Sequence, residues 1–312
     1  MARELVRLFG RDRVVPAPPT ARYPSGHFAL RLGAHASTDV TVLAGAATGG
    51  SVFAEVIGEP GDWPTRKHLG PPQYESLALP VGLVMSNALF DWLADSWGPT
   101  PPVKDGAVLA LDYQLEVKTA AEFTGSLITE TGFPALDAAS KATGQVTVRV
   151  QPTTVDLGPG SGKLPITASK QKLWRLSNFR LEIDGLDCTH VSRIEAFEIR
   201  REVEIEPSST GPPSLVPGKV EFPNLRVTLT QTTAQTWYAW HQQFVVEQNN
   251  GEEFERAGRL RFLAVDLQTE LTRIELSQLG IVKLAPAPDQ PGRITAELYC
   301  EQMTLAEPGG PQ

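Results

Sequence analysis

The segment QYESLAL at residues 73–79 has a counterpart 148 positions later, EFPNLRV at residues 221–227. In both segments an aromatic residue precedes an apolar-x-apolar pattern. At the same offset Trp92 coincides with Trp240. Self-similarity at a fixed offset indicates that one structural unit occurs more than once in a chain. The sequence therefore predicts an internal duplication.

Two strand-like segments are aligned by the same offset. Gly132 and its flanking residues fall on Gly280 and its flanking residues, and residues 146–150 fall on residues 294–298. Apolar and polar residues alternate in several segments, which is typical of half-buried strands in antiparallel sheets. The segments with this alternation are 108–117, 146–150, 179–183, 197–205, 225–229 and 260–265.

Each copy also contains one amphipathic segment of helical period, residues 86–97 in the first copy and residues 233–246 in the second. Ser86 suits the N-cap position of the first helix. Its apolar face consists of Leu89, Phe90, Leu93 and Trp97. We predict a mainly β protein of two tandem antiparallel β-sandwich or barrel domains, each with one amphipathic helix. The predicted core residues are Phe28, Trp92, Phe179 and Trp240.

The length and composition of the chain favour two domains. A chain of 312 residues is too long for one ordinary core. Residues 156–165 are rich in Gly and Pro, a composition that is expected neither to continue a strand nor to pack in a core. We therefore predict that this stretch is a linker. The expected division is an N-terminal arm (1–22), a first domain (23–156), a linker (157–172), a second domain (173–306) and a tail (307–312).

The charge and cysteine content narrow the function and the compartment. The net charge of −8 does not attract a phosphate backbone, so we expect no specific nucleic-acid binding. Cys188 and Cys300 are too few for a disulfide framework and fit a reducing cytoplasm. No apolar run reaches the length of a membrane-spanning helix, and the N-terminus lacks a secretory pattern, so we expect no membrane span.

Catalytic and metal motifs are weak in this sequence. Residues 158–163 resemble a phosphate-binding loop, but Leu157 and Leu164 stand where that motif needs Gly and Ser or Thr. None of the five histidines, at positions 27, 35, 68, 190 and 241, has the spacing of a metal site. We therefore expect no cofactor, no metal and no enzymatic activity. An enzyme of unknown class stays an alternative hypothesis, because folding can bring two carboxylates together. The candidates are Asp91, Asp95, Glu116 and Glu130.

A family resemblance follows from the segment KHLGPPQYESLAL at residues 67–79, which runs into ALFDW at residues 88–92. Together with the openings HFALRLG at 27–33 and NFRLEIDG at 178–185, it resembles the tail-tube proteins of contractile phages and of phage-tail-like injection systems. The second copy departs from the pattern, since residues 216–222 lack the Lys-His pair.

The resemblance implies a β-sandwich subunit whose sheets join those of neighbours into a closed ring around a lumen. A chain with two such domains resembles hub or tube-initiating components, in which three chains supply six domains; a ring of six chains is the alternative. Residues 58–72, with Arg66, Lys67 and His68, are predicted to form an inter-subunit arm. The implied partners are further copies of the chain and tail-tube, hub, baseplate or sheath-like proteins. We expect the particle to assemble in the cytoplasm and to be released by lysis.

A competing hypothesis is a two-domain binding module that recognises carbohydrate or protein through exposed aromatic residues. Trp63 and Trp97 are the candidate residues for such a surface. The oligomeric state distinguishes the two hypotheses, because an assembly protein forms closed oligomers and a binding module stays a monomer.

Overall fold

The computed structural model describes residues 27–37, 40, 44–56, 65–164, 174–206, 208, 212–288 and 290–307. This part of the chain is mainly β with antiparallel sheets, which confirms the predicted fold class. The elements of the first half are β1 (His27–Leu32), β2 (His35–Ser37), β3 (Thr48–Val56), β4 (Thr65–Tyr74), β5 (Leu77–Val81), α1 (Asn87–Ser96), β6 (Lys104–Leu111), β7 (Val117–Phe133), β8 (Leu136–Asp137), β9 (Val146–Gln151) and β10 (Thr154–Pro159).

The described residues of the second half form eight strands and one α-helix. They are β11 (Phe179–Ile183), β12 (Val191–Ile194), β13 (Phe197–Glu206), β14 (Ser214–Glu221), β15 (Leu225–Thr230), α2 (Gln235–His241), β16 (Arg256–Leu263), β17 (Glu270–Pro286) and β18 (Arg293–Ala306). A π-helical turn, Gln242–Val246, continues α2, and 3-10 turns occur at Gln231–Thr233 and Glu252–Phe254.

Strand pairing in the second half repeats that in the first. The order β1-β6-β7-β9-β5 corresponds to β11-β16-β17-β18-β15, and every pair is antiparallel. The register agrees as well. Leu77 of β5 lies opposite Val150, and 148 positions later Leu225 of β15 lies opposite Leu298. These strands are therefore in the same register in the two halves.

The two helices begin at the same place in the repeat. α1 begins at Asn87 and α2 at Gln235, 148 positions later. Ser86 occupies the N-cap position of α1, although its hydroxyl makes no capping hydrogen bond. The predicted apolar face of α1 is buried. In the described part of the chain the helices span ten and seven residues, and none of them could cross a membrane.

The offset changes in β6 and β16 because the connections differ in length. Each strand has a bulge at the same point, between Lys104 and Gly106 in β6 and between Arg256 and Gly258 in β16. Gly106 therefore corresponds to Gly258, 152 positions later. The connection between the helix and β16 is longer than its counterpart in the first half, which accounts for the difference.

The offset reaches 153 in β7 and β17. Ile128 and Ile281 each precede a bulge where these strands pair with β9 and β18. Gly132 therefore corresponds to Ala285, and its alignment with Gly280 was wrong. The shorter connection between β17 and β18 restores the offset of 148. An alignment at one fixed offset cannot follow such paired changes in loop length.

The stretch expected to be a linker begins inside a strand. Residues 157–159 form the end of β10 and lie opposite residues 119–121 of β7, and Lys163 forms a bridge with Glu116. The expectation that this stretch could not continue a strand was wrong. Among the residues that the structure describes, β10 pairs with β7 alone, and edge strands tolerate Gly and Pro. The predicted N-terminal arm (1–22) and residues 165–172 of the predicted linker lie outside the described residues, as does the predicted tail apart from Glu307.

Strands from the two halves share sheets. β13 and β14 extend the sheet of the first half beside β7, and β8 pairs with β12 in the sheet of the second half. One continuous core of buried apolar residues contains members of both halves, including Phe133, Phe197 and Phe262. The two repeats are therefore joined by sheet pairing as well as by the chain.

Candidate functional site

Within the described residues, β3 and β4 pair only with each other and form a two-stranded antiparallel hairpin. Val52 lies opposite Leu69, and Phe53 lies opposite His68. Opposed residues share a face, so these two pairs lie on opposite faces. Val52, Phe53 and Leu69 expose 62%, 59% and 76% of their surfaces. The hairpin therefore presents apolar side chains to solvent on both faces.

A glycine gives the aromatic ring of the hairpin room against the neighbouring strand. A Cβ atom at Gly70 would stand 2.5 Å from Cε2 of Phe53 and 2.7 Å from Oγ of Ser51. The absence of a side chain at Gly70 thus leaves room for the exposed Phe53 ring.

The structure places Arg66, Lys67 and His68 on the exposed part of β4. Glu55 lies opposite Arg66, and Nε2 of His68 stands 3.4 Å from Oε2 of Glu55. The remainder of the predicted arm, residues 58–64, lies outside the described residues. The three predicted arm residues therefore share one strand of the apolar hairpin.

The hairpin has a counterpart in the second half, formed by β13 and β14. A bulge between Arg201 and Val203 matches the bulge between Gly50 and Val52, 151 positions earlier. The counterpart is not isolated. Its first four residues, 197–200, pair with residues 130–133 of β7. The same element is thus docked in one half and undocked in the other.

Aromatic side chains fill the joint where β13 meets β7. The ring of Phe133 stacks on Phe197, with centroids 5.0 Å apart, and on Phe262, with centroids 5.6 Å apart. Trp174 meets Phe262 edge-on at 5.3 Å. Stacked and edge-on pairs add to the free energy gained by burying the rings. The joint between the halves is therefore packed like a domain core.

Arg201 connects this joint to the end of α1. Its Nε and Nη2 donate to the carbonyl oxygen of Ser96 at 3.2 and 2.9 Å, and its Nη1 donates to that of Gly218 at 2.6 Å. A further bond from Nη2 reaches the carbonyl oxygen of Gly98. Desolvation lowers the pKa of Arg201. The cation satisfies carbonyl groups that a helix leaves unpaired at its C-terminal end.

Trp97 belongs to the same joint and not to an exposed surface. It is 7% exposed, and its Nε1 donates to Oγ1 of Thr131 at 3.1 Å. The prediction that Trp97 is an exposed aromatic residue for ligand binding was therefore wrong, because Trp97, at the C-cap position of α1, is buried in the core. Trp63 lies outside the described residues.

A second contact between the halves pairs β8 with β12. Nη1 of Arg193 stands 3.3 Å from Oδ2 of Asp137 in the first half, and its Nε stands 2.8 Å from Oε1 of Glu195. The hydrogen bond from Arg193 lowers the pKa of Glu195. These side chains are partly exposed, so the ion pairs contribute less than the aromatic joint.

The predicted core residues lie inside or against the core. Trp92 is fully buried; its Nε1 donates to the carbonyl oxygen of Pro102 at 3.0 Å. Trp240 is 2% exposed, and the guanidinium of Arg256 stands 5.1 Å from its ring centroid. Phe28 and Phe179 are half-buried against the same core.

The cysteine thiols and the carboxylates considered for chemistry lie in structural environments. Within the described residues, no cluster of His, Cys, Asp or Glu could hold a metal ion. Desolvation raises the pKa of Cys188 and of Cys300 to about 11, which leaves the thiols protonated at neutral pH. Glu116 is ion-paired with Lys118 at 2.7 Å, and Glu130 stands 3.6 Å from the guanidinium of Arg149.

Arg201 was not identified from the sequence, although its position carries a signal. In β13 the residues alternate between the core and solvent, with Phe197 and Ile199 buried. Arg201 falls on the buried parity and is 7% exposed. A charged residue at an inward position of a strand indicates a specific partner, because burying an unpaired charge is costly.

Comparison with known proteins gives matches among solved structures alone. No family model matches the chain, and no curated protein matches it. A chain of the PVC sheath-tube complex of an extracellular contractile injection system is similar, with 17% identity over 47% of this chain and 94% of that one (TM-score 0.37). The tube-terminating cap of the anti-feeding prophage matches with 17% identity over 47% and 99% (TM-score 0.39). A chain of the baseplate of that prophage matches with 13% identity over 47% and 98% (TM-score 0.35).

Proposed function

We propose that the protein is a structural component, namely a tube, hub or tube-initiating adaptor protein, of a phage-tail-like contractile injection particle. The β3–β4 hairpin carries this proposal. Within the described residues its strand β3 pairs with β4 alone, whereas the counterpart strand β13 is docked on a sheet edge of the other half. An undocked strand edge is a template for pairing with another chain. The motifs at residues 67–79 and 88–92 support the same family.

Edge pairing between chains gives a ring in this proposal. The hairpin belongs to the first half and the surface it lacks belongs to a second half, so the contact joins unlike surfaces of two copies. Such heterologous contacts close into a ring when the rotation permits. Three chains then supply six repeats around a lumen, and six chains in two layers are the alternative. The different neighbours of the two halves account for their divergence in sequence.

The partners in this proposal are copies of the chain and tail-tube, hub, baseplate or sheath-like proteins. The particle assembles in the cytoplasm and leaves the cell by lysis. The net charge of −8 argues against specific binding of the nucleic-acid backbone. The role needs no catalysis, cofactor or metal.

The particle mass of the purified protein tests the proposal. Mass photometry at several concentrations is expected to show a discrete species of three copies of the 33.8 kDa chain, or of six. The test variant replaces residues 48–74 by a two-residue turn between Ala47 and Glu75, which a backbone hydrogen bond joins. We expect unchanged circular dichroism of the remaining fold and loss of the oligomer. A chain that stays a monomer even with its tube and sheath partners would contradict the proposal and favour a carbohydrate- or protein-binding module.

A further inference from the structure

The docked hairpin defines how the undocked hairpin meets its partner. β3 and β13 correspond at an offset of 151, and β4 and β14 at an offset of 148, because their bulges coincide. Residues 197–200, which pair with β7, therefore correspond to residues 46–49. Within the described residues, β3 pairs with β4 alone, so residues 47–49 leave one strand edge open.

The backbone at this edge has the orientation that pairing needs. The N–H of Glu75 donates to the carbonyl oxygen of Ala47 at 2.9 Å, so the backbone groups of Ala47 point towards β4. Because these groups alternate in direction along an antiparallel strand, those of Thr48 point away from β4. Its counterpart, Ile199, lies opposite Thr131 in the docked hairpin.

The second half contains a free counterpart of the docking edge on β7. Residues 130–133 of β7 correspond to residues 283–286 of β17 at an offset of 153. In the described part of the chain these β17 residues pair with β18 alone. Leu284 is half-buried, whereas its counterpart Thr131 is 1% exposed beneath β13. The uncovered edge of β17 therefore matches the covered edge of β7.

Apolar residues surround the free edge of β17. Val282 is 46% exposed, and its counterpart Thr129 lines the docked joint. Val245 and Val246, at the end of the turn that follows α2, are 38% and 57% exposed. Their counterparts at the end of α1 are Trp97, which is buried in the joint, and Gly98, which binds Arg201. A strand of another chain that pairs with this edge would cover the patch, as β13 covers its counterpart on β7.

We propose that residues 47–49 of one copy pair antiparallel with residues 283–285 of a second copy, with Gly49 opposite Lys283 and Thr48 opposite Leu284. The occupant of the free β17 edge is thus the β3–β4 hairpin of the same protein. This inference rests on the proposed function and adds to it the two surfaces, their polarity and their register.

The proposed joint is weaker than the docked one. Gly50 stands where β13 has Arg201, and Ala46 and Pro286 stand where the docked joint stacks Phe197 on Phe133. The contact between copies therefore lacks the arginine bonds and the aromatic stack. It relies on the backbone ladder and on the exposed apolar residues beside the β17 edge, so it forms reversibly between folded chains.

Cysteine cross-linking tests the register. G49C and K283C chains are prepared separately and mixed; a Cβ at Gly49 meets no atom within 4 Å, and Lys283 is exposed. Directly opposed residues in an antiparallel pair have Cα atoms about 4.5–5.5 Å apart, within the range of a disulfide. We expect a cross-linked dimer in the oxidised mixture and none in either variant alone, because unlike surfaces meet.

The matched control pairs G49C with L284C, one position out of register, where the side chains lie on opposite faces. We therefore expect no cross-link above the wild-type background. That background is low, because the thiols of Cys188 and Cys300 are largely protonated at neutral pH. The double variant G49C/K283C is expected to give a ladder that ends at the copy number of the ring.

The outcomes separate the two proposals when mass photometry of the uncross-linked chain runs in parallel. A discrete oligomer with no cross-link in the mixture, or with equal cross-linking in the L284C control or in G49C alone, overturns this register and leaves the proposed function standing. Absence of any oligomer overturns both.

Discussion

Arg201 of β13 donates two hydrogen bonds to the carbonyl oxygen of Ser96, the last residue of α1. A strand of the second half thereby completes the helix end of the first. The same guanidinium binds the carbonyl oxygens of Gly98 and Gly218. The joint between the repeats is therefore held by a buried cation as well as by strand pairing.

Replacement of Arg201 by Ala is expected to lower the free energy of unfolding by about 2–3 kcal/mol, because buried carbonyl groups lose their donor. Urea unfolding measures the change. The matched control is Arg200→Ala, an exposed neighbour on the same strand, for which we expect a change within about 0.5 kcal/mol. Equal effects of the two substitutions would show that the buried cation does not hold the joint.

Trp92→Ala and Trp240→Ala are each expected to cost about 3–5 kcal/mol, since both side chains are buried at equivalent positions. Substitution by Phe is expected to have different effects at the two sites. Trp92→Phe removes the hydrogen bond to the carbonyl oxygen of Pro102, worth about 1 kcal/mol, whereas within the described residues Nε1 of Trp240 has no partner. Thermal melts that neither Ala substitution shifts would refute the equivalence of the sites.

Sequence patterns predicted the repeat because its buried tryptophans lie within short segments that keep one offset. Trp92 and Trp240 sit on helices that begin at corresponding residues, so one offset finds both. The β7–β17 correspondence was misplaced by five positions, because loop lengths change before and after these strands. Helices and alternating strands follow from local chemistry, and their alignment across variable loops does not.

The joint between the halves was not predicted, for a different reason. The pairing of Phe197 with Phe133 joins distant segments, and each strand looks like an ordinary half-buried strand. A strand pattern states which face is buried and not which neighbour lies at its edge. The inward parity of Arg201 was the available signal, and it indicated a buried partner without identifying it.

Gly106→Ala and Gly258→Ala are expected to destabilise the protein to a similar degree, by about 1–3 kcal/mol through overpacking. A Cβ atom at Gly106 would stand 2.5 Å from the carbonyl oxygen of Arg31, and one at Gly258 would stand 2.6 Å from that of Glu182. Gly158→Ala is the control, since its Cβ would meet nothing within 4 Å. Denaturant unfolding of the three variants provides the comparison. A Gly106 variant as stable as the Gly158 variant would contradict the close approach of the backbone at Gly106.

Val282→Ser is expected to weaken assembly without unfolding the chain. Val282 is 46% exposed beside the free edge of β17, so the free energy of unfolding should change by less than about 0.5 kcal/mol. Mass photometry should show a shift towards monomers at a given concentration. Val265→Ser serves as the control, because Val265 is 58% exposed in the β16–β17 connection, away from the proposed contact. Equal oligomer populations in the two variants would show that the patch beside the β17 edge takes no part in assembly.

Cryo-electron microscopy of the purified particle tests the central claim most directly, because it shows both the copy number and the strands that meet. The account predicts a closed ring around a lumen in which β3 of each chain continues the sheet of β17 in the next, with six repeats if three chains close the ring. Particles that contain single chains, or rings in which the β3–β4 hairpin contacts no neighbouring β17, would contradict it.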